Sequence, residues 1–238
     1  LLGPAALRAL GPRGDAPPKL LMLAANALGL SRYDVIVTVK DGVFPLVAAA
    51  EGKNAQARTL LRTGSGAAPD ASFLPRELAG RVGTVESFTA AESVVLPRSD
   101  GTGVDLVADL GGDMMSYQWT INGRNYDQTE PLTVKEGDRA RLTFTNMTMM
   151  WHPMHLHGHT FQVVKGDGGV GPRKDTVIVR PMESVAVDLI ADNPGDWMLH
   201  CHNTYHLETG MATVFFSDSS LMRRPSWGVP FANWCADR

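Results

Sequence analysis

Apolar and polar residues alternate along short stretches of the chain, and turn residues separate these stretches. Between residues 140 and 146, the apolar Leu142 and Phe144 alternate with arginine and threonine, which is the period expected of a half-buried β-strand. The same pattern predicts strands at 33–39, 43–50, 59–62, 104–110, 117–121, 132–134, 161–165, 176–180, 184–190 and 212–216. Short strands with regular turns, and no long segment of helical periodicity, predict an all-β fold, either a β-sandwich or a Greek-key barrel.

Proline and glycine interrupt this pattern between residues 63 and 98, where few alternating positions remain. Such punctuation is typical of a linker. The chain therefore divides into four predicted segments: a partial β domain at 1–63, a linker at 64–103, a second β domain at 104–220, and an irregular tail at 221–238.

The composition excludes several classes of partner. The formal net charge is -3 and charged residues make up 20% of the chain, so neither a nucleic acid nor an acidic membrane surface is expected. The apolar run at 20–30 is too short to span a bilayer, and no membrane span or targeting signal is expected. The two cysteines, Cys201 and Cys235, do not form a disulfide framework. Cys235 is either paired with another domain or a free buried thiol.

All seven histidines lie in two short segments. Four fall between residues 152 and 159, and three surround Cys201 and precede Met211. Imidazole, thiolate and thioether side chains together form a ligand set for redox copper. A lone histidine is more often an ordinary polar residue, but this clustering makes that interpretation the weaker one. Zinc is a better alternative, although Cys201 has no second cysteine nearby and methionine is a poor zinc ligand.

The spacing around Cys201 predicts two metal sites that share one tripeptide. If residues 197–202 form a strand, His200 and His202 point to one face and Cys201 points to the other. The two sites would then lie on opposite sides of the strand, with a short covalent route for electrons between them.

The face that carries Cys201 is predicted to hold a blue copper ion. His206 follows five residues after Cys201, and Met211 follows ten residues after it. One cysteine, two histidines and a weak axial methionine make a blue-copper site. The second histidine is best supplied by His152.

The other face is predicted to hold a site made of imidazoles alone. His155 and His157 are two residues apart, so they face together on an extended chain and would meet His200 and His202. Four imidazoles suit copper or zinc. His159 continues the alternation but is expected to have a supporting or structural role.

The two segments carry a family resemblance. His-Pro-Met-His-Leu-His-Gly-His at 152–159 and His-Cys-His-x3-His-x4-Met at 200–211 resemble the paired C-terminal signatures of the multicopper oxidases, the family of laccase, ascorbate oxidase and copper-efflux oxidase. The resemblance implies a type 1 copper bound by His152, Cys201, His206 and Met211, a type 2 copper bound by His155, and a type 3 copper pair bound by His157, His200 and His202. It also implies that Cys201, His200 and His202 carry electrons between the centres.

The activity implied by the resemblance is the one-electron oxidation of a small reductant at the type 1 copper. The reductant would be a phenol, an aromatic amine or a metal ion such as Cu(I). Electrons would enter through a partly exposed edge of His152 or His206. Four of them would reduce O2 to water at the trinuclear cluster of type 2 and type 3 copper, so the complete enzyme would hold four copper ions. A periplasmic or extracellular location is also implied.

The resemblance further implies cupredoxin-like Greek-key domains. Residues 104–217 look like the third cupredoxin domain of a three-domain member, and residues 33–62 are similar to the closing strands of the second domain. The family's trinuclear cluster also uses two His-x-His motifs from the first domain, but no histidine precedes His152 in this chain. We therefore expect a C-terminal portion of a longer oxidase, whose N-terminal cupredoxin domain completes the oxygen site.

Two features beside the motifs have more than one interpretation. Several bacterial members of the family have an acidic residue directly after the position of His206, whereas this chain has Leu207 there and then Glu208. Glu208 is a candidate catalytic proton donor or substrate-side acid, or else a solvated surface carboxylate. Six of the eleven methionines are Met114, Met115, Met147, Met149, Met150 and Met154. They could bind Cu(I) through their thioethers or simply fill gaps in the packing.

Two other function classes use the same ligands. A blue-copper electron carrier would hold only the type 1 ion and pass electrons to a partner. A copper-binding or storage module would hold the metal without redox turnover.

Overall fold

A computed structural model describes residues 38–49, 56–73, 85–97 and 103–218 of the chain. The predicted strand at 33–39 lies mostly outside these residues, and the predicted tail at 221–238, with Cys235, lies entirely outside them. Within the described part of the chain, no helix is long and apolar enough to cross a membrane.

Two strands near the beginning of the described chain form a small sheet of their own. Strand β1 (Val43–Ala49) pairs antiparallel with β2 (Gln56–Arg62), and Val43 lies opposite Arg62 in the register. These strands correspond to the predictions at 43–50 and 59–62. The second strand begins three residues earlier than predicted.

The remaining strands all lie between residues 104 and 218. They are β3 (Val104–Asp113), β4 (Gln118–Ile121), β5 (Leu132–Lys135), β6 (Arg139–Asn146), β7 (His152–Leu156), β8 (Phe161–Val164), β9 (Val170–Lys174), β10 (Thr176–Val179), β11 (Ser184–Ile190), β12 (Gly195–Cys201) and β13 (Ala212–Asp218). One short helix, α1 (Thr204–Glu208), joins β12 to β13. Short 3-10 turns occur at Val85–Ser87, Glu92–Val94 and Tyr126–Gln128.

These strands form two sheets, one of five strands in the order β10-β7-β12-β13-β5 and one of six in the order β4-β3-β6-β11-β8-β9. The pairs β3–β6 and β13–β5 are parallel, and the other pairs are antiparallel. Many neighbours are distant in sequence, as Greek-key connections require. The predicted all-β fold is confirmed.

Both sheets contribute to one hydrophobic core. Phe144 and Leu189 come from the six-stranded sheet, and Leu156 and Phe215 come from the five-stranded sheet; all four side chains belong to the same buried cluster. The two sheets therefore pack face to face, as in a β-sandwich. In β6 every second residue is buried, as the alternation of apolar and polar residues predicts.

Two strands were not predicted as elements, and each has a physical reason. All five residues of β7 are buried, so both of its faces are covered and no alternation is visible in its sequence. β9 contains Gly171 and Pro172, which usually indicate a turn. It lies at the edge of its sheet, where a proline without an N–H is tolerated.

The part of the predicted linker at 85–97 contacts the main sandwich. Within residues 85–97 the structure has 3-10 turns and no strand. The Leu96 side chain is buried, and its backbone N–H donates to Gln162 Oε1 at 3.1 Å. This end of the segment is therefore packed against β8.

Candidate metal centres

The two histidine segments lie side by side in the five-stranded sheet. β7 carries the first five residues of the first segment and pairs antiparallel with β12, whose last two residues begin the second segment. In this register His155 lies opposite His200, and Met154 lies opposite Cys201. Beyond the end of β12, the His202 N–H donates to the Pro153 carbonyl at 2.7 Å. Strand pairing thus brings together ligand candidates that are more than forty residues apart in the sequence.

The first ligand group contains Cys201, His152 and His206. The Cys201 sulfur lies 3.8 Å from His152 Nδ1 and 3.7 Å from His206 Nδ1, and the two nitrogens are 3.1 Å apart. Three donors spaced evenly around one ion, at about 2.0 Å from nitrogen and about 2.3 Å from sulfur, would keep sulfur and nitrogen about 3.7 Å apart and the two nitrogens about 3.5 Å apart. The observed sulfur–nitrogen distances match this spacing and the two nitrogens are slightly closer together, so the three donor atoms could surround one metal ion.

A threonine hydroxyl orients the His152 ring. Thr148 Oγ1 accepts the N–H of Met150 at 3.1 Å and donates its own proton to Asn146 Oδ1 at 2.9 Å. With that proton in use, the hydroxyl accepts the Nε2–H of His152 at 2.8 Å. His152 Nδ1 is therefore unprotonated, and its lone pair faces the Cys201 sulfur.

One buried amide holds the loop that carries this threonine. Asn146 is 1% exposed. Its Nδ2 donates to the carbonyls of Met150 at 2.7 Å and Arg180 at 2.9 Å, while its Oδ1 accepts the Thr148 N–H at 2.8 Å. Such complete pairing of a buried amide fixes the loop before β7 in one conformation.

Helix α1 positions His206 and the chain that follows it. Asn203 caps the helix, because its side chain accepts the Tyr205 N–H at 3.1 Å. After the helix, the Met211 N–H donates to the His206 carbonyl at 2.9 Å, and the Cys201 N–H donates to the Met211 carbonyl at 3.1 Å. Met211, the predicted axial ligand, is fully buried and is held beside both Cys201 and His206.

Burial controls the protonation of this group. It lowers the pKa of His152 to about 3, with a further contribution from nearby His206, and it lowers the pKa of His206 to about 4. Burial also raises the pKa of the Cys201 thiol to about 12. At neutral pH both imidazoles are therefore uncharged ligands, and a metal ion must displace one proton from the thiol.

The second ligand group contains His155, His157 and His200. Each residue contributes one ring nitrogen, and these three nitrogens all lie within 4.8 Å of one another. His157 Nε2 and His200 Nε2 are 3.0 Å apart. His202 is next to them, with its ring centroid 4.6 Å from that of His155 and 5.3 Å from that of His200. The structure thus brings together the four imidazoles that the sequence predicts on this face.

Backbone carbonyls orient two of these rings. His155 Nδ1 lies 2.7 Å from the Asp175 carbonyl, and His200 Nδ1 lies 3.0 Å from the Cys201 carbonyl. Because a carbonyl can only accept, both Nδ1 atoms carry the proton, and the unprotonated Nε2 atoms are the candidate metal-binding nitrogens. Burial lowers the pKa of His155 to about 4 and that of His200 to about 3, so these rings are also neutral at pH 7.

Glu208 and His159 belong to neither group. Glu208 is exposed at the end of α1. His159 is buried, and its ring lies edge-on to Trp197 and Phe215 at centroid distances of 5.9 and 5.2 Å. This packing agrees with a supporting role for His159.

The structure corrects one expectation about the first group. Neither His152 nor His206 has a partly exposed edge, because both side chains are 0% exposed. Trp119 of β4 covers them, with its ring centroid 4.1 Å from that of His206 and 5.3 Å from that of His152. Sequence reasoning did not find Trp119, since it precedes the first ligand by more than thirty residues and no motif includes it.

The fold and these two groups define a copper protein of the β-sandwich type. A family model described as multicopper oxidase matches residues 103–220. The chain is 60% identical over 182 residues to multicopper oxidase MmcO of Mycobacterium tuberculosis, an alignment that covers 76% of this chain and 36% of MmcO. It is 38% identical over 114 residues to copper resistance protein A of Escherichia coli, covering 48% of this chain and 18% of that protein.

A solved structure agrees with this assignment. McoA, a multicopper oxidase of Aquifex aeolicus, superposes with a TM-score of 0.50 at 25% identity, covering 74% of this chain and 40% of McoA. The chain belongs to the multicopper oxidase family, whose metal is copper. It spans about a third of the length of MmcO and less than a fifth of the length of copper resistance protein A.

Proposed function

We propose that this chain forms the electron-accepting portion of a multicopper oxidase, which takes electrons one at a time from a small reductant and delivers four of them to O2, giving water. The observation that supports this function is the covalent connection between the two ligand groups. His200 and Cys201 are consecutive residues of β12, yet they belong to different groups. One peptide therefore joins the site that would accept electrons to the site that would use them.

The ligand assignment is part of the proposal. Type 1 copper would be held by His152, Cys201, His206 and Met211, type 2 copper by His155, and the type 3 pair by His157, His200 and His202. When bound, copper supplies a one-electron acceptor in the first group and the centre for O2 reduction in the second. The chain supplies the fixed donor atoms, the ring orientations and the connection between Cys201 and His200, whose Nδ1 lies 3.0 Å from the Cys201 carbonyl.

The two groups differ in their exposure, and the difference fits their proposed tasks. All ligand candidates of the first group are fully buried, so the surrounding side chains would keep water away from an ion bound there. His157 and His202 of the second group are only half-buried. We propose that further histidines from an N-terminal cupredoxin domain approach the second group from its open side.

The division of the chain into a partial cupredoxin domain (1–63), a linker (64–103), the copper-binding cupredoxin domain (104–220) and a tail (221–238) remains part of this proposal. Glu208 is retained as a substrate-side acid, since it is exposed at the end of the helix that carries His206. A periplasmic or extracellular location is proposed from the family resemblance.

The reductant is proposed to be a phenol, an aromatic amine or Cu(I). The name of copper resistance protein A favours a role in copper handling, and exposed methionines support Cu(I). Met115 and Met149 are 93% and 75% exposed. Met147 donates its N–H to the Leu110 carbonyl at 3.0 Å, which places it near the end of β3 that leads to Met115.

Metal content and colour of the complete protein test the proposed function against its two rivals. An oxidase shows several coppers per protein, intense blue colour and O2 consumption with a phenol. A single copper with the same colour but without O2 consumption would instead identify an electron carrier. Colourless Cu(I) or zinc binding would identify a storage module.

The Cu(I) hypothesis has its own test. Replacing Met147, Met149 and Met150 together with leucine removes three thioethers and keeps similar side-chain volume. If thioethers bind the substrate, Cu(I) oxidation slows while oxidation of a phenol by the same variant stays at the wild-type rate. Unchanged Cu(I) turnover would exclude these methionines as its binding site.

A further inference from the structure

We propose that Tyr117 and Trp119 form the electron entry of this chain: an electron-rich aromatic reductant docks on Tyr117, and its electron reaches His206 through the Trp119 ring. The inference rests on the proposed function, since it requires a cupric ion in the group of His152, Cys201 and His206. It goes beyond that function because it names the docking residue, the route and the substrate class.

The burial of the ligands makes an intermediate side chain necessary. His152 and His206 are 0% exposed, and so are Cys201 and Met211. No reductant can touch any of these side chains in this structure. An electron that arrives from solvent must therefore cross a residue that covers the group.

Trp119 covers the group most closely. Its ring lies 4.1 Å from the His206 ring, centroid to centroid, with the planes inclined by only 32°. This is a close, tilted contact between two aromatic rings. Trp119 is itself fully buried, and its Nε1 has no hydrogen-bond partner in the part of the chain that the structure describes. The indole is therefore placed by ring packing and not by its N–H.

The strand opposite Trp119 is shaped to seat this ring. Gly112 of β3 pairs with Trp119, and a Cβ added at Gly112 would lie 2.2 Å from an indole carbon. Only glycine leaves room for the indole at this point. The Trp119 N–H also donates to the Thr209 carbonyl at 3.2 Å, which ties β4 to the loop that follows His206.

Tyr117 connects this buried ring to the surface. Its ring lies 5.9 Å from that of Trp119 at an interplanar angle of 89°, and 6.4 Å from that of His206. It is 39% exposed. Its φ of 53° is in the left-handed region, which is strained for a bulky residue and is often found at functional sites. The turn thus places the Tyr117 ring beside Trp119 while leaving part of the ring exposed to solvent.

The surface beside Tyr117 fits a neutral aromatic molecule. Met114 and Met115 precede it in the same turn and are both exposed. Thioethers and aromatic rings make favourable contacts with other rings. A phenol docked there would lose one electron, and its proton would pass to water. The electron would reduce the cupric ion to the cuprous state, and the rings of Tyr117 and Trp119 would return to their original oxidation state.

The test compares tyrosine variants of the complete, copper-loaded protein. Tyr117→Leu removes the ring, Tyr117→Phe keeps it, and Tyr205→Leu removes another exposed tyrosine, which is 73% exposed on α1. Three quantities are measured: the rate at which hydroquinone bleaches the cupric absorption without O2, the equilibrium reduction potential, and the binding of redox-inert 4-nitrophenol by equilibrium dialysis.

If electrons enter through Tyr117 and Trp119, Tyr117→Leu slows bleaching about tenfold and weakens nitrophenol binding about tenfold. A tenfold change is the size expected for the loss of one aromatic contact. The potential and the cupric spectrum stay unchanged, and Tyr117→Phe and Tyr205→Leu behave like the wild type. If hydroquinone bleached Tyr117→Leu at the wild-type rate, or bleached Tyr205→Leu equally slowly, the proposed electron route would be overturned. A protein without cupric absorption would instead refute the proposed function.

The second ring is tested separately. Trp119→Phe keeps an aromatic ring and loses no hydrogen bond of the indole within the described residues, whereas Trp119→Leu removes the ring. With copper content and potential matched, bleaching by Trp119→Leu is expected to be slower than that by Trp119→Phe. Equal rates in these two variants would exclude the Trp119 ring as the route.

Discussion

At the scale of single residues, His152 is prepared for metal binding by a residue that is not itself a ligand. The Thr148 hydroxyl has one proton, which it donates to Asn146, so it can only accept from His152 Nε2. The ring must therefore present Nδ1 to the Cys201 sulfur. Partners of this kind, one shell beyond the metal, usually contribute strongly to affinity.

Thr148 can be tested by exchanging its hydroxyl for a methyl group. Thr148→Val keeps the shape of the side chain but leaves His152 Nε2–H without its acceptor, so we expect type 1 copper to bind about 10- to 100-fold more weakly. Thr148→Ser keeps the hydroxyl and should bind nearly as tightly as the wild type. The measurement is a competition titration against a chelator, followed by the blue absorption. Equal affinity of the valine variant would show that the tautomer is not set by Thr148.

Met211 allows a prediction about the redox potential. A weak axial thioether helps to set the potential of a blue-copper ion, and Met211 is buried, with its backbone hydrogen-bonded to both Cys201 and His206. Met211→Leu should therefore raise the potential of the type 1 copper in a redox titration, while Met182→Leu, at a methionine that is 66% exposed, should leave it nearly unchanged. A measured fall in the Met211 variant would count against the axial assignment.

The ligand residues could be predicted from the sequence, whereas their neighbours could not. The histidines, Cys201 and Met211 are concentrated in two segments, so chemistry alone marks them. Thr148 is an ordinary threonine, and Trp119 reaches the group only because β4 and the helix that carries His206 come together in the fold. The expected exposed imidazole edge was wrong for the same reason: exposure depends on residues that are remote in sequence.

At the scale of elements, the pairing of β7 with β12 decides which histidines meet. A slip of one residue in this register would turn every side chain of one strand to the opposite face. The alternation of polar and apolar residues predicted β6 and β11 well, and the bounds of β11 agree with the prediction at 184–190. It could not reveal β7, because neither face of that strand is exposed to solvent.

The turn after β7 provides a stability test at this scale. Gly158 has a φ of 67°, and a Cβ there would lie 2.3 Å from the Trp197 ring. Gly123 has a similar φ of 73° but nothing within 4 Å. Gly158→Ala adds both strain and a clash, so it should lower the free energy of unfolding by about 3 kcal/mol.

Gly123→Ala is the matched control, since it adds only the strain of the left-handed conformation and should cost about 1 kcal/mol. Thermal unfolding of the metal-free protein, followed by calorimetry, measures the difference. Equal losses in the two variants would mean that Trp197 moves aside and that the turn after His157 is not sterically fixed.

At the scale of the whole molecule, the chain places two candidate ligand groups on opposite sides of one strand. The first group is buried, and its three candidate ligands all come from this chain. The second group, with His202 beside it, offers four imidazoles, of which His157 and His202 are only half-buried. The chain spans about a third of the length of MmcO. The sequence could predict both faces from the tripeptide around Cys201, but it could not predict how the rings of each face are oriented.

This arrangement predicts that the two centres can be separated by mutation. In the complete protein, Cys201→Ser removes the thiolate of the first group but none of the imidazoles, so it should abolish the blue absorption and lose one copper. Substrate oxidation should then fall by more than about 100-fold. His200→Ala should do the reverse: the protein stays blue and is reduced once by hydroquinone in the absence of O2, but it no longer consumes O2.

Copper analysis, absorption spectra and an oxygen electrode distinguish these outcomes. The physical reason for the separation is that Cys201 and His200 share a peptide bond but project to different faces, so each change removes a donor from one group alone. If either variant lost both the blue colour and all bound copper, the two groups would form one cooperative site. If His200→Ala still consumed O2, the imidazole group would not be the oxygen site.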